Sequence, residues 1–364
     1  MPITRRALLA APLLAAAPRA RAEEAAALEH HVARTLIVGF GGARDTAPAF
    51  DRLLALAGTL PLGGVIYMGP NIESEAAIRR MNGLLRSAAR EPLLISVDEE
   101  GGAVRRLRRL PSVPDTPSAR DVAALTPEGS LALYGRMAQA LAGLGFNLNH
   151  GPVLDLAVNA RSAVVAGLGR SYGDDPAVVA AHAASFVRAH HAHGVQVTIK
   201  HFPGHGSAAE DPHLRPVDAT GSWRPREIEP FRLVLGREQP ISLMTSHQVI
   251  AHPLFGADPR PLTFVPGAID HVRHRLGYHG LVITDDLTMG AITARWTLEA
   301  AVAGALLAGH DCAIVAKPGH DPVARIRTLV SAVAAQARRD PALRAAVLRA
   351  GSQVVAVKRR YAVA

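Results

Sequence analysis

The chain has a single cysteine, Cys312, so it cannot form an intramolecular disulfide. Aromatic residues make up only 4% of the 364 residues, and they are not interleaved with basic residues as in a nucleic-acid groove. Beyond the N-terminal segment, no stretch has the ~20 uninterrupted apolar residues that a membrane span needs. These absences predict a protein that binds no nucleic acid and has no stable membrane anchor. The hydrophobic content of 49% is sufficient for a large core, and the apolar setting of Cys312 predicts that it lies there.

The N-terminal segment has the pattern of an export signal. Arg5-Arg6 is followed by the apolar run Ala7–Leu14 and then by Ala20-Arg21-Ala22, an A-x-A site with cleavage expected after Ala22. The basic pair resembles that of a twin-arginine signal. We therefore expect a signal at residues 1–22, a folded unit at residues 23–364, and a periplasmic or secreted protein. The protein is cytoplasmic if the signal is not used, and an ordinary helical or disordered start is the alternative. Loss of the four arginines in this segment lowers the formal net charge from +9 to +5.

Eight short apolar runs alternate with Ala- and Leu-rich segments such as Ser74–Arg90, Leu131–Leu144 and Pro176–Ala192. This alternation predicts a single-domain α/β fold, the (β/α)8 TIM barrel, with right-handed crossovers. A doubly wound open sheet is the alternative, but no G-x-G-x-x-G follows the first run to support it. The predicted strands are Thr35–Phe40, Gly64–Met68, Leu93–Val97, Asn147–Leu154, Val195–Ile199, Ile241–Met244, Leu281–Thr284 and Asp311–Val315.

Polar residues follow most of these runs. In chain order they are Asp98–Gly102, Asp155, Lys200-His201, Ser246-His247 and Asp285-Asp286. In a barrel all C-terminal strand ends point to one face, where active sites lie. Charges at so many strand ends would repel one another or stay unpaired unless a polar ligand met them. The pattern therefore predicts a pocket for a polar ligand on that face.

The segment Lys200–Gly206, K-H-F-P-G-H-G, is followed after four residues by Asp211-Pro212-His213. Its proline and two glycines disfavour a helix, so we predict that a loop carries these residues beyond the strand Val195–Ile199. His201 and His205 have the i, i+4 spacing of zinc ligands, but such a pair needs a helix to align both rings. Metal binding and a merely structural polar loop are the alternatives to a site that performs chemistry.

This segment resembles the signature of the family 3 glycoside hydrolases in their β-N-acetylglucosaminidase branch, K-H-F-P-G-H-G followed after four residues by D-S-H. The chain departs from it at Pro212, where the family usually has Ser, and at Ser207, where Asp is common. Three further family motifs occur in order at strand ends. They are D-x-E-G-G-x-V-x-R at Asp98–Arg106, G-R-S-[FY]-G at Gly169–Gly173 and T-D-x-L-x-M at Thr284–Met289.

The resemblance implies a retaining β-N-acetylhexosaminidase with its catalytic barrel at residues 23–364. Such an enzyme releases terminal, non-reducing β-linked N-acetylglucosamine, here from peptidoglycan fragments, and uses no metal and no organic cofactor. The resemblance implies Asp285 as nucleophile, with the Asp211–His213 pair as acid and base. Asp286 is the rival nucleophile by proximity, and His247 is the next candidate for the acid. The implied substrate-binding residues are Asp98, Arg106, Arg170, Lys200 and His201.

Other functions stay open at this stage. The chain could be another β-glycosidase or a glycoside phosphorylase of the same family, because a histidine acid/base tolerates phosphate as acceptor better than a glutamate does. From a different class, it could be a sugar-binding relative without activity. Many β-glucosidase relatives complete their site with a second α/β domain, whereas here the eight alternations use nearly all of residues 23–364. We expect a monomer.

If the N-terminal segment directs export, protein purified from the native host should begin at Glu23. The signal peptidase cuts after the A-x-A site, so N-terminal sequencing of the mature protein measures the position directly. A soluble cytoplasmic fraction in which the chain keeps Met1 would contradict the expectation.

Overall fold

The computed structural model describes residues 11–317, 319, 321–361 and 363, with only the backbone course for residues 11–22. The strands of this described chain are β1 (Leu36–Val38), β2 (Gly64–Tyr67), β3 (Leu94–Val97), β4 (Glu99–Gly101), β5 (Val104–Arg105), β6 (Leu148–Asn149), β7 (Gln196–Phe202), β8 (Ser242–Thr245), β9 (Leu281–Asp286) and β10 (Cys312–Val315). Eight of them form a closed barrel in the order β1-β10-β9-β8-β7-β6-β3-β2, and β4 and β5 form a separate hairpin. All eight barrel pairings are parallel, which confirms the predicted (β/α)8 barrel.

Helices follow most of the barrel strands. Within the described residues they are α1 (Ala11–Arg34), α2 (Pro48–Thr59), α3 (Glu75–Ala88), α4 (Ala119–Val122), α5 (Pro127–Leu144), α6 (Pro176–Ala192), α7 (Glu229–Leu235), α8 (Pro266–Asp270), α9 (Gly290–Thr293), α10 (Leu298–Ala308), α11 (Pro322–Ala337) and α12 (Pro341–Arg360). Short 3₁₀ turns lie at Gly69–Asn71, Pro225–Ile228, Pro253–Phe255 and Leu262–Phe264, and a π-helical segment at His271–Arg275.

Local capping explains where the long helices begin and end. The α5 helix begins four residues before the predicted Leu131, because the Thr126 side chain accepts a hydrogen bond from the amide of Gly129 and Pro127 occupies the first turn. It ends at Gly145, which adopts a φ of +86°. The predicted helix Pro176–Ala192 has the observed bounds of α6.

Two strand predictions were wrong in their bounds. The predicted fourth strand, Asn147–Leu154, is continuous only over Leu148–Asn149 and pairs again with β7 at a single bridge from Val153 to Lys200, since Pro152 between them has no amide to donate. The predicted fifth strand ends at Ile199, but β7 continues to Phe202 and carries Lys200 and His201 within it. Its register with β8 shifts between Ile199 and Phe202, so the two charged residues lie at an irregular stretch of the barrel rim.

The interior of the barrel changes from apolar at the N-terminal end to polar beneath the C-terminal face. Ile37, Leu94 and Cys312 belong to an apolar cluster that α12 covers, and this confirms Cys312 as a buried core residue. Above the cluster, the His150 ring bonds the Thr198 hydroxyl at 3.0 Å through Nδ1, and Ser96 at 3.0 Å through Nε2. Burial lowers the pKa of His150 to about 4, so this layer is neutral at physiological pH.

The predicted export signal falls partly outside the described residues, which begin at residue 11. From Ala11 the backbone is helical through Arg34, so the expected cleavage point after Ala22 lies within α1. The later part of α1 belongs to the folded unit, because Leu28, Val32 and Ala33 are buried and the helix packs against α11 and α12. None of the described helices combines the length and apolarity needed to cross a bilayer.

Lys358 of α12 is buried at the N-terminal end of the barrel. Its Nζ donates to the carbonyl of Pro92 at 2.7 Å and to that of Leu62 at 3.4 Å, just before strands β3 and β2. Burial lowers the pKa of Lys358 from 10.5 to about 8. Protonation of Lys358 is therefore less favourable in the folded state than in the unfolded chain.

We expect the free energy of unfolding to include a contribution that rises between pH 8 and pH 10.5, because the unfolded chain binds the proton more tightly there. The size should be roughly 3 kcal/mol, and Lys358→Met should lack it. Urea denaturation at pH 7.5 and pH 10.5 measures the contribution as a difference between the two proteins, which cancels the titration of tyrosines common to both. The exposed Lys317→Met is the control and should behave as wild type. An identical pH dependence in wild type and Lys358→Met would show that Lys358 has an ordinary environment.

Candidate active site

The hairpin that follows β3 directs alternate carboxylates to opposite sides. Asp98 and Glu100 face the cavity at the C-terminal end of the barrel. Glu99 lies between them in sequence and points away. One of its oxygens accepts from Arg105 Nε at 3.3 Å and the other from the amide of Leu107 at 2.9 Å. Glu99 therefore holds the hairpin in shape, and burial raises the pKa of its carboxyl to about 7.

Lys200 is the centre of a buried charge network. Its Nζ lies 2.9 Å from Asp98 Oδ1 and 2.7 Å from Glu100 Oε1. Arg170 binds Glu100 through two parallel hydrogen bonds of 2.8 Å, and an amino nitrogen of Arg106 lies 3.7 Å from Asp98. The strand-end charges therefore compensate one another, and the expectation that they need a ligand to be paired was wrong.

The network keeps its charges in spite of burial. Burial opposes ionisation of Asp98 and Glu100, but the adjacent cations outweigh it. Lys200 is the strongest of these for Asp98, whose pKa lies well below its usual range. Arg170 is the strongest for Glu100, whose pKa falls to about 2. The pKa of Lys200 is raised by the two carboxylates even though burial acts against it. The cavity thus presents fixed, permanently charged donors and acceptors.

His201 is oriented by a fully buried carboxylate that the sequence analysis did not assign to the site. Asp155 Oδ2 lies 2.7 Å from His201 Nδ1, and Oδ1 accepts from the amides of His201 and His205 at 3.1 and 2.9 Å. Burial opposes ionisation of Asp155, but His201 and the amides lower its pKa to about 2. Because Nδ1 carries the proton toward Asp155, Nε2 of His201 faces Arg170 at 3.5 Å as an acceptor.

The segment after β7 is the predicted loop, and glycine allows two close approaches in it. A Cβ at Gly206 would lie 1.6 Å from the Leu156 carbonyl oxygen. Gly204 has a φ of +115°, and a Cβ there would lie 2.6 Å from Cβ of Glu227. The amide of Ser207 donates to Glu227 at 3.2 Å. These contacts fix the start of the loop, residues 203–207, against the barrel.

The far end of the same loop carries the Asp211–His213 pair. Oδ1 of Asp211 accepts from His213 Nδ1 at 2.7 Å and from the amide of His213 at 2.8 Å. The carbonyls of Pro212 and His213 accept from the amides of Ala291 and Gly290 at the start of α9. This docks the pair beside the turn that follows β9. The side chain of His213 is 59% exposed, whereas the residues of the charge network are largely buried.

Strand β9 ends in two carboxylates with different environments. Asp285 lines the cavity and accepts from the amide of Asp286 at 2.7 Å. Burial opposes its ionisation, but the nearby imidazoles, His247 first, and the bond from the amide of Asp286 lower the pKa of Asp285. Asp286 bonds the amide and hydroxyl of Thr288 and the amide of Ala316, and burial raises its pKa. Asp285 is therefore the ionised group at the cavity, while Asp286 holds the turn.

His247 cannot easily offer a proton to the cavity. Its Nε2 lies 3.0 Å from the carbonyl oxygen of Asp286, so this nitrogen carries hydrogen and donates it to the backbone. Its Nδ1 lies 2.6 Å from the hydroxyl of Thr263. Both ring nitrogens are thus occupied. Burial also lowers the pKa of His247, which disfavours the protonated form.

The eight residues selected from the sequence all line one cavity of about 320 Å³. They are Asp98, Arg106, Arg170, Lys200, His201, Asp211, His213 and Asp285. A second cavity of about 380 Å³ adjoins it and shares Asp98, Arg106, Lys200, His213 and Asp285. These volumes are typical of small-molecule sites. An ionised carboxylate and an imidazole–carboxylate pair that face the same space can act together on one bond.

Glu100 and Asp155 were expected at this face but had no predicted role, and His205 was considered only as a possible zinc ligand. Glu100 is the third residue of the D-x-E-G-G motif, and its position between Lys200 and Arg170 depends on the fold. The rings of His201 and His205 lie 6.2 Å apart between centroids, at 69° to each other. Among the described residues, no group of three or more His, Cys, Asp or Glu side chains is arranged so that it could hold a metal ion.

Comparison with known proteins identifies relatives over most of the chain. A family model, "Glycosyl hydrolase family 3 N terminal domain", matches residues 54–350. The chain is 34% identical over 297 residues to the β-hexosaminidase of Stenotrophomonas maltophilia strain K279a, which covers 78% of this chain and 83% of that protein. It is 33% identical over 291 residues, with the same coverage, to the β-hexosaminidase of Xylella fastidiosa strain 9a5c.

Two solved structures show the same fold. One is a glycoside hydrolase family 3 β-N-acetylglucosaminidase from Paenibacillus sp. FPU-7, with a TM-score of 0.81 and 30% identity over 92% of this chain. This chain spans 63% of the Paenibacillus protein. The other is a β-N-acetylhexosaminidase from Beutenbergia cavernae, with a TM-score of 0.79 and 28% identity, covering 91% of this chain and 98% of that protein.

Proposed function

The chain belongs to glycosyl hydrolase family 3, and from this we propose that it is a retaining β-N-acetylhexosaminidase that releases terminal β-linked N-acetylglucosamine from peptidoglycan fragments. The observation that carries the proposal is the convergence of Asp285, the Asp211–His213 pair and the charge network around Lys200 on one cavity. The relatives of similar length that are named β-hexosaminidases support the activity.

The charge network is suited to hold the sugar ring. Asp98, Arg106, Lys200 and Arg170 present charged acceptors and donors whose positions are already fixed by one another. Hydroxyl groups both donate and accept, so they can bond Asp98 and Lys200 without disrupting the ion pair between them. His201 offers Nε2 as an acceptor beside Arg170. A rigid constellation of this kind favours substrates whose polar groups match it.

Asp285 is the proposed nucleophile. Its carboxylate oxygen forms a bond to the anomeric carbon while the bond from that carbon to the leaving oxygen breaks, which gives a covalent glycosyl-enzyme. A nucleophile must be ionised, and the lowered pKa of Asp285 keeps it so. Asp286 is the weaker candidate because both of its oxygens already accept hydrogen bonds. The donors are the amide and hydroxyl of Thr288 and the amide of Ala316.

His213 is the proposed acid and base. Since Nδ1 bonds Asp211, Nε2 is the nitrogen that can give a proton to the leaving oxygen. In the second step, water attacks the anomeric carbon, its proton passes to the same nitrogen, and the bond to Asp285 breaks. Burial acts to raise the pKa of Asp211, but its bonds to His213 lower it, so Asp211 remains a carboxylate that stabilises the imidazolium.

The composition of a groove beside the cavity favours a substrate with a negatively charged leaving group. It measures about 670 Å³, and Met68, Pro70, Arg106 and Lys317 are among its lining residues. A further depression shares Pro70 and Arg106 with it and contains Arg105, Arg108 and Arg109. Among the described residues, Arg108, Arg109 and Lys317 form no ion pair with a carboxylate. The lactyl and peptide carboxylates of peptidoglycan fragments would meet this uncompensated positive charge.

The assignment of the nucleophile predicts different effects for adjacent residues. Asp285→Asn should lower kcat by several orders of magnitude, because an amide cannot form the glycosyl-enzyme. Asp286→Asn should lower it far less, through distortion of the turn, and serves as the matched control. A 2-fluoro or 5-fluoro sugar should label Asp285, as mass spectrometry of digested protein can establish. Covalent label on Asp286, or on any other residue, would overturn the assignment.

The substrate proposal predicts a strong preference for the N-acetyl sugar. kcat/KM on an aryl β-N-acetylglucosaminide should exceed that on the matching β-glucoside by up to ~10⁴-fold, because buried polar groups would stay unpaired with glucose. Added phosphate should not change the product, which separates a hydrolase from a phosphorylase. Equal kcat/KM on the two aryl glycosides would refute the preference for the N-acetyl sugar.

The leaving group should also affect the rate. We expect kcat/KM on a disaccharide of N-acetylglucosamine and N-acetylmuramic acid to exceed that on chitobiose, and Lys317→Ala should reduce the ratio of these two values.

A further inference from the structure

His205 is an unpaired imidazole in the wall of the cavity. It is 3% exposed, and neither ring nitrogen has a hydrogen-bond partner among the described residues. It lines the cavity together with Asp211 and His213. A buried polar group without a partner costs about 1–3 kcal/mol, so its presence suggests that a partner is supplied during function. The proposed mechanism does not use His205.

The polar groups near His205 differ in their capacity to accept a hydrogen bond from its ring. Both oxygens of Asp155 already accept hydrogen bonds, one from the ring of His201 and the other from the amides of His201 and His205. The ring of His201 donates to Asp155 and faces Arg170 with its other nitrogen. Asp211 is different. Both of its hydrogen bonds fall on Oδ1, so Oδ2 is free to accept.

His205 and Asp211 both line the cavity, and five residues lie between them in the chain. Burial lowers the pKa of His205 to about 4, so at neutral pH it is an uncharged ring with one N–H to donate. The two residues belong to the same loop. Its start is fixed at Gly206 and its far end is docked on Gly290, which leaves the Asp211 side chain as the part that can adjust.

We infer that His205 donates a hydrogen bond to Oδ2 of Asp211 when sugar fills the cavity, and so completes a chain of His205, Asp211 and His213. His205 is then a positioning residue, which acts on the reacting atoms only through the other two. The inference rests on the proposed acid/base role of His213. The second hydrogen bond fixes the rotation of the Asp211 carboxylate, and this rotation sets the direction of His213 Nε2.

The chain is physically useful because the Asp211–His213 pair is exposed. An exposed pair held by a single oxygen samples several orientations, and proton transfer needs one of them. A neutral donor such as His205 restricts the rotation of the Asp211 carboxylate. It adds no positive charge, so the carboxylate still stabilises the imidazolium of His213. His205 alternatively contacts the sugar itself, and the experiment separates the two roles.

The test compares substrates with poor and good leaving groups. His205→Ala should lower kcat/KM on an N-acetylglucosamine disaccharide by about 10- to 100-fold, the size of one hydrogen bond to a charged group. It should change kcat/KM on the dinitrophenyl glycoside by less than about threefold, because kcat/KM reports formation of the glycosyl-enzyme and an activated leaving group departs without protonation. His205→Gln keeps a donor and should recover most of the loss.

A double-variant cycle gives a second readout. In an Asp211→Ala background, His205→Ala should have less than about a twofold further effect, because its partner is gone. His182, a buried histidine bonded to Ser130 between α5 and α6, provides the control: His182→Ala should be additive with Asp211→Ala. Thermal unfolding identifies any variant that fails to fold. If His205→Ala does, the cycle is run with His205→Gln, whose remaining selective loss should disappear in the Asp211→Ala background.

Each outcome assigns a role. Equal losses on both substrates with a raised KM would mean that His205 contacts the sugar, and additivity with Asp211→Ala would mean a merely structural role. Either result overturns the inference. His213→Ala tests the underlying proposal separately. If it lowers both substrates equally, the acid/base assignment itself fails. If it is selective and His205→Ala is not, only the role of His205 is rejected.

Discussion

The site is organised around the ammonium group of Lys200, which lies within 3 Å of the carboxylates of Asp98 and Glu100 at the top of the barrel. Removing these charges from water is costly, and only their mutual attraction and the two bonds from Arg170 to Glu100 offset the cost. The three elements that meet there are β7, the hairpin after β3 and the loop that follows β6. The ion pairs therefore tie the three elements together at the cavity, in addition to the backbone bonds between Lys200 and the segment after β6, and fixed loops are what a sugar pocket requires.

A second set of contacts places the chemistry relative to this pocket. Glycine at position 206 lets the loop after β7 lie against Leu156, and glycine at position 290 lets its far end approach the turn after β9. The result is that the Asp211–His213 pair faces Asp285, although 72 residues separate His213 from Asp285 in the chain. These close backbone approaches, more than side-chain contacts, set the distance between the proposed proton donor, His213, and the proposed nucleophile, Asp285.

Much of the fold was predictable because each barrel strand is a continuous apolar run and each long helix has a recognisable start. All eight strands were located, and the errors were local. Pro152 shortened one strand, and β7 extended past Ile199 because a register shift accommodates Lys200 and His201. The residues of the site were predictable where a motif carries them, and all eight lie at one cavity. Glu100 and Asp155 had no predicted role because their roles depend on pairing between distant segments, which leaves no trace in spacing along the chain.

Within the one cavity, the residues proposed to bind the sugar are buried, whereas the residue proposed to transfer protons is exposed. Groups proposed to hold the sugar, such as Lys200 and His201, are buried and already paired with carboxylates. His213, proposed to transfer protons, is more than half exposed and bonded to a carboxylate on a loop. The imidazole gives its proton to the leaving oxygen in the first step and takes one from the attacking water in the second. It must therefore be reachable by that water, which exposure permits, whereas exposure would weaken electrostatic recognition of the sugar. The barrel resolves this conflict by placing recognition on strands and their rigid hairpin, and proton transfer on a loop that is fixed at both ends.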